Sequence, residues 1–281
     1  MSVLENKIDF AVILSVTNAN PNGDPLNGNR PRENYDGLGE ISDVCIKRKI
    51  RNRLQDMGQC VFVQSDDRSD DGCKSLKDRA DAHKPFAEAV KKKNSENAQA
   101  EACKQWIDVR SFGQVFAFKG DDASIGVRGP VSLHPAFSLS PILVTSTQIT
   151  KSVNSVPGPK KTSDTMGMKH RVDFGLYIAY GSINCQLAEK TGFSEEDAEL
   201  IKNALKTLFE NDTSSARPEG SMEVCKLYWW KHNCKSGQYS SAKVHRSLQI
   251  LPKTETPQSI NDYEINLTEL DDLEPEILEG L

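Results

Sequence analysis

The sequence predicts an α+β fold, a split β-α-β, ferredoxin-like plan interrupted by at least two insertions. Three observations predict it. Residues 8–17 alternate as a strand does, and a helix with a four-residue apolar repeat follows at residues 42–55. After a polar interruption, strand-like segments return, and a clean helix opening at Ser194 leads into the apolar run MEVCKLYWWK at residues 222–231.

In the first strand Ile8, Phe10, Val12, Leu14 and Val16 line one face, and Asp9, Ala11, Ile13, Ser15 and Thr17 take the other. That second face is partly polar, so the sheet is expected to be covered mainly on one side. Residues 18–39 hold Pro, Asn, Gly and Asp at turn spacing, which marks a long functional or disordered loop. Ser42 is a helix N-cap with Asp43 in the first turn. Ile46, Ile50 and Leu54 form the buried stripe of that helix, while Lys47, Arg48 and Arg51 fall on the adjoining arc. A short strand is expected at residues 60–64. Residues 65–105 are polar and charged, with helix-like pieces at 85–93 and 98–106, and read as an insertion. Strand character returns at 109–118, 126–133 and 141–150. The segment KSVNSVPGPKKTSDT at 151–165 is a Pro/Gly/Ser/Lys excursion before a returning strand at 173–184. Ser194 and Asp197 resemble a capping box for a helix whose apolar face is Ala198, Ile201, Leu205 and Leu208. No internal repeat is present.

The chain has 281 residues, 37% of them hydrophobic and 27% charged, which excludes disorder throughout. No apolar run approaches the roughly 18 residues of a membrane span. The start, MSVLENKIDF, lacks the pattern of a secretory signal. Seven widely spaced cysteines, an odd number, indicate reduced thiols and a cytoplasmic location. The net charge of −5 argues on its face against a nucleic-acid partner, but its distribution reverses that. Residues 254–281 carry nine of the 40 acids and no Lys or Arg, which leaves 31 acids against 35 bases, a net of +4. A mildly basic body therefore carries an acidic C-terminal tail.

Lys and Arg on one helical arc meet several phosphates at once, so Lys47, Arg48 and Arg51 are the leading nucleic-acid contacts, unless the arc is simply a solvated face. Arg30 and Arg32, in the preceding loop, extend the patch, and the helix amides suit an anion. The stretch VRSFGQVFAF at 109–118 partly matches the aromatic strand of RRM domains: Arg110, Phe112, Gly113 and Val115 fit, whereas Ser111, Gln114 and Ala117 do not. Plain sheet packing is the better explanation of its apolar residues. The 151–165 excursion holds Lys151, Lys160 and Lys161, and Lys169, His170 and Arg171 follow it; it is either a hairpin able to reach across a nucleic-acid strand or a flexible surface loop. Met166 and Met168 at its base supply an apolar wedge against a nucleobase. Arg128, in GVRGP, is a further candidate. Asp24, in NPNGDP, is placed either to act in RNA cleavage or to cap its own backbone. Cys60, Cys73, His83 and Cys103 match no compact zinc pattern, and no catalytic motif, metal site or cofactor is expected.

The segments NANPNGDPLNGNRPR, GEISDVCIKRKIRN, DVRSFGQVF, GVRGPVS and SDTMGMKHRVDFGLY occur in this order. Together they resemble the CRISPR-associated Cas7 family of the RAMP superfamily, the crRNA-binding backbone subunits of type I Cascade, most closely the type I-C branch. The resemblance spans about residues 5–232. It implies a modified RRM palm in a single domain, residues 1–281, with a helical fingers insertion at 65–105 and a β-hairpin thumb at 148–171. It implies a non-catalytic subunit, several copies of which stack head to tail along a crRNA and leave the spacer free to pair with a target DNA strand. The implied partners are the crRNA, that DNA strand, further copies of the chain, and the 5′-handle-binding, large and small subunits. Asn20, Asn22 and Ser42 then join the basic residues as guide contacts. The competing reading is an RNA-guided endoribonuclease using Asp24, as in related type III backbone subunits. The acidic tail at 254–281 is expected to form an assembly surface or a shield against stray nucleic acid.

Overall fold

The structure is a computed structural model that describes residues 2–117, 124–150 and 166–281. The N-terminal part runs β1 (Ile8–Ala19), β2 (Gly23–Asp24), a 3-10 turn (Pro25–Asn27), β3 (Arg30–Glu33), β4 (Leu38–Ile41) and α1 (Asp43–Asp56). Four shorter helices follow: α2 (Leu76–Ala82), α3 (Lys84–Lys91), α4 (Ser95–Gln105) and α5 (Ile107–Phe112). Then come β5 (Gln114–Phe116), β6 (Ile125–Val127), β7 (Val131–Leu133), β8 (Ala136–Pro141), β9 (Val144–Thr150) and β10 (Met166–Ile183). The chain continues through α6 (Cys185–Thr191), α7 (Glu195–Lys206), β11 (Met222–Lys231), α8 (Ser241–Ser247), β12 (Leu248–Pro252), β13 (Tyr263–Leu267) and β14 (Glu276–Glu279).

One large antiparallel sheet dominates, in the order β14-β11-β1-β10-β8-β4-β3-β2, with β7 and β9 also paired to β10. The architecture is a mixed one, a large antiparallel sheet with helices packed on it, as the α+β expectation has it. β1 sits at its centre because it is apolar on both faces, pairing Phe10 with Gly181 of β10 and with Trp229 of β11. Gly181 has no side chain for a reason: a Cβ there would lie 2.2 Å from the Phe10 ring. Ile8, Phe10, Val12, Leu14 and Val16 meet Ile46, Ile50 and Leu54 of α1 and Ala198, Ile201 and Leu205 of α7 in one buried cluster. The capping box of α7 is formed as the sequence indicates: Asp197 N donates to Ser194 Oγ at 3.2 Å, and Ser194 N to Asp197 Oδ2 at 3.0 Å. Such a cap contributes about 1 kcal/mol.

Several expectations are corrected. The second face of the sheet is not open. Ala11, Ile13, Tyr228 and Trp230 pack against Val244, Leu248, Tyr263 and Leu273, so the C-terminal segment from α8 onward covers it. Asp9, the polar residue of that face, is fully buried and accepts from Lys7 Nζ at 2.7 Å and His232 Nε2 at 2.8 Å. The acidic residues 254–281 accordingly include two strands, β13 and β14, the latter forming one end of the sheet. The long loop at 18–39 is partly strand, extending the other end of the sheet through β4, β3 and β2. Residues 60–64 form no strand, because Phe62 N and Val63 N donate to the Asp108 carboxylate instead of a ladder. The start of the expected 109–118 strand is the end of helix α5, which stops at Gly113 with φ 80°. The strand expected at 126–133 is two short ones, β6 and β7. Helices α2–α4 and α5 enclose their own cluster, in which Phe62, Phe86, Trp106 and Phe116 make ring contacts. All seven cysteines are unpaired thiols, and none of the described helices is long and apolar enough to cross a membrane.

Candidate nucleic-acid interface

The loop after β1 is fastened onto the start of α1. Ser42 caps the helix by accepting from Cys45 N at 3.3 Å, and its own N and Oγ donate to Asn22 Oδ1 at 2.9 and 2.8 Å. Asn20 is 4% exposed; its N donates to Ala216 O at 2.9 Å and its Nδ2 to Asn29 O at 2.7 Å. Asn20, Asn22 and Ser42 are therefore one scaffold that fixes the path of the backbone. Asp24 Oδ1 accepts from Leu26 N at 3.1 Å, capping the 3-10 turn, and lies 3.6 Å from Arg32 Nη2. That is the backbone-capping role, with the carboxylate already engaged.

The second component is the β9–β10 hairpin. Side chains alternate along a strand, so Met166, Met168 and His170 share one face, and Lys169 and Arg171 the other. Met166 is 62% and Met168 54% exposed, unusual for large apolar side chains with sheet available to bury them. Arg30 Nη1 donates to Ser146 Oγ at 2.9 Å, and Ser146 Oγ is 2.8 Å from His170 Nδ1. These two contacts join β3 to the methionine face of the hairpin. On the opposite face Lys169 is exposed, and Arg171, 47% exposed, has Asp173 at 3.5 Å. Lys151, Lys160 and Lys161 lie outside the described residues.

The helix residues are placed differently. Lys47 pairs with Asp43 at 3.0 Å one turn back and stays at the surface. Arg48 Nη1 donates to Val63 O at 2.6 Å, and burial together with neighbouring Arg51 pulls its guanidinium below the ordinary value. Arg51 Nε donates to Asp108 Oδ2 at 2.9 Å, with Asp108 1% exposed and the Phe112 ring 5.2 Å away. Arg110 is held in a bidentate pair with Asp197, at 2.8 and 2.7 Å, and also donates to Cys103 O. These two guanidiniums act inside the fold: Arg51 ties α1 to α5 and Arg110 ties α5 to α7. The aromatic RNA-binding strand expected around Arg110 is absent for the same reason, since that turn is helical. Arg128 is exposed between β6 and β7.

The structure thus brings together Arg30, Ser146, His170, Met168 and Met166, with the Asn22–Ser42 lock at the root of the same loop. Arg110 and Arg128 stand on other elements. Ser146 was not identifiable from sequence: in PILVTSTQIT nothing separates it from its neighbours, and its partners are 116 and 24 residues away.

A family model described as CRISPR-associated protein Cas7 matches residues 6–268. A CRISPR-associated protein Cas7 of Haloferax volcanii is 25% identical over 284 aligned positions, covering 94% of this chain and 82% of that one. Among solved structures, a chain of a "CRISPR RNA-guided surveillance complex, pre-nicking" superposes with a TM-score of 0.50 at 14% identity, covering 80% of this chain and 78% of that one. With the family model spanning nearly its whole length, the chain belongs to the CRISPR-associated Cas7 family.

Proposed function

We propose that the chain is a non-catalytic backbone subunit of a crRNA-guided surveillance complex, of the type I-C branch. The observation that carries this reading is the hairpin with two chemically distinct faces, docked through Arg30–Ser146–His170 onto the loop that caps α1. A guide-holding subunit has no bases to read; it needs cations for phosphates and an apolar wedge to interrupt stacking. Lys169 and Arg171 supply the first, with Lys47 and the outer donors of Arg48, and Met166 and Met168 supply the second. In this reading residues 148–171 are the thumb, residues 65–105 the fingers and the remainder an RRM-like palm. Copies stack head to tail along the guide in the cytoplasm, together with the 5′-handle-binding, large and small subunits, and present the spacer to a target DNA strand. No observation favours the endoribonuclease alternative, because Asp24 is engaged as a cap.

The test is expression of the chain with its CRISPR neighbours, followed by the 260/280 nm absorbance ratio of the particle. The ratio is expected to show bound RNA, and the double variant Lys169→Glu/Arg171→Glu to lose it while the chain stays folded. A particle free of RNA would overturn the reading.

A further inference from the structure

Residues 268–275 connect β13 to the end strand β14 and wall a groove of about 670 Å³. Trp230 and Leu273, both buried, form its floor, and the apolar surface open to a ligand comes from the half-buried Leu267, Leu270 and Pro275 and from Ile277, 49% exposed. Glu269, Asp271, Asp272 and Glu274 stand around the rim, all exposed. The wall is rigidly held: Gln238 Nε2 donates to Asp272 O at 2.7 Å, the Tyr239 hydroxyl to Asp271 O at 3.2 Å, and Leu273 N to Leu270 O at 3.0 Å. Asp272 even adopts a left-handed backbone, φ 57°. The neighbouring acids Glu276 and Glu279 pair with Lys202 and Lys226, at 2.8 and 2.6 Å. The four rim carboxylates make no ion pair among the described residues.

We infer that this groove docks a protein partner, through a segment that presents Lys or Arg on either side of an apolar side chain. The chemistry selects this occupant. Phosphates are repelled by four unneutralised carboxylates, so nucleic acid is excluded from this face. A purely cationic ligand leaves the apolar lining wet, whereas an apolar anchor buries it while the rim steers the flanking charges. Docking here is independent of guide binding; only the second experiment below uses the assembled particle of the proposed function.

The first experiment titrates the full chain with two fluorescent peptides of equal charge, one alternating Lys with Leu and one alternating Lys with Ser. The Lys–Leu peptide is expected to bind at least about tenfold more tightly. The triple variant Glu269→Lys/Asp271→Lys/Glu274→Lys is expected to remove that binding, and Ile277→Ser to weaken it with no change in charge. Asp272 is left unchanged because its left-handed backbone tolerates few residues. If charge reversal compromises folding, the neutral set Glu269→Gln/Asp271→Asn/Glu274→Gln is expected to weaken binding in the same direction. Equal affinity for both peptides, or a variant that binds normally, overturns the proposal. The second experiment weighs the assembled particle by native mass spectrometry. The variant is expected to lose a protein subunit other than this chain while keeping its guide RNA and its own copy number. An unchanged composition, or a loss of copies of this chain, overturns the proposal.

Discussion

Helix α1 and the β9–β10 hairpin both carry cations, yet the two regions use them for different ends. On α1 the guanidiniums of Arg48 and Arg51 are drawn inward by the segments on either side of the helical insertion, through Val63 O and Asp108. On the hairpin no element of the described chain lies over Lys169, and Arg171 has only the nearby Asp173. Charge on an element that neighbouring segments pack against becomes structural, because burying a guanidinium demands an acceptor. Charge on a projecting hairpin stays available for a ligand.

The sharpest way to break this contrast is to remove the acceptor beneath α1. Asp108→Ala leaves Arg51, the buried Phe62 N–H and the part-buried Val63 N–H unpaired, and is expected to cost about 3–5 kcal/mol, read as a fall in the denaturation midpoint. If stability survives, Arg51 is free to serve a ligand and the two regions are alike. Next in size is the hairpin: Lys169→Glu/Arg171→Glu is expected to weaken guide retention by about tenfold or more and to reduce its salt dependence, with the unfolding midpoint unchanged. A shift in stability instead would assign these side chains to the fold.

A smaller effect is set by pH at the junction between β1 and α8. Burial holds the His245 imidazole below its ordinary value of 6.5, against the opposing influence of Asp9 and Gly181 O; His134 and Lys7 lower it further. The unfolded chain therefore takes up this proton first as pH falls. Stability should drop below about pH 6.5, by at most about 1.4 kcal/mol per unit. His245→Gln should flatten that slope in denaturant titrations at about pH 7.5 and 5.5; an unaltered slope would locate the acid sensitivity elsewhere. Smallest in stability is Met168→Ala, expected to move the midpoint by less than about 0.5 kcal/mol because the side chain is solvent-exposed. Its effect should show instead as altered nuclease protection of the guide.

These differences also explain what could be read from the sequence. β1, α1 and α7 were legible because their own residues carry the pattern: alternation, a four-residue repeat, a capping box. The methionine and lysine faces of β10 were legible as residues, although the period-two arrangement that separates them shows only once the strand is known to begin at Met166. Helix α5 was misread because its valine and aromatic residues favour strands, while its conformation is fixed by Asp108 bonding to Phe62 and Val63, 46 and 45 residues away. The C-terminal cover was hidden by composition. Tyr263, Leu273 and their neighbours pack inward, but the acids between them dominate any average.

β10 begins in solvent at Met166 and ends in the core at Ile183, a continuous strand of 18 residues, about 60 Å at the usual rise. Its inner two-thirds is locked against β1 over eleven paired positions, from Val172 to Ile183. A slip of one residue would exchange the two faces of the projecting tip, turning thioether inward where ammonium should be and the reverse. The packed interior therefore serves as a gauge for its distant end, and substitutions deep under β1 are a way to misalign the hairpin without touching it.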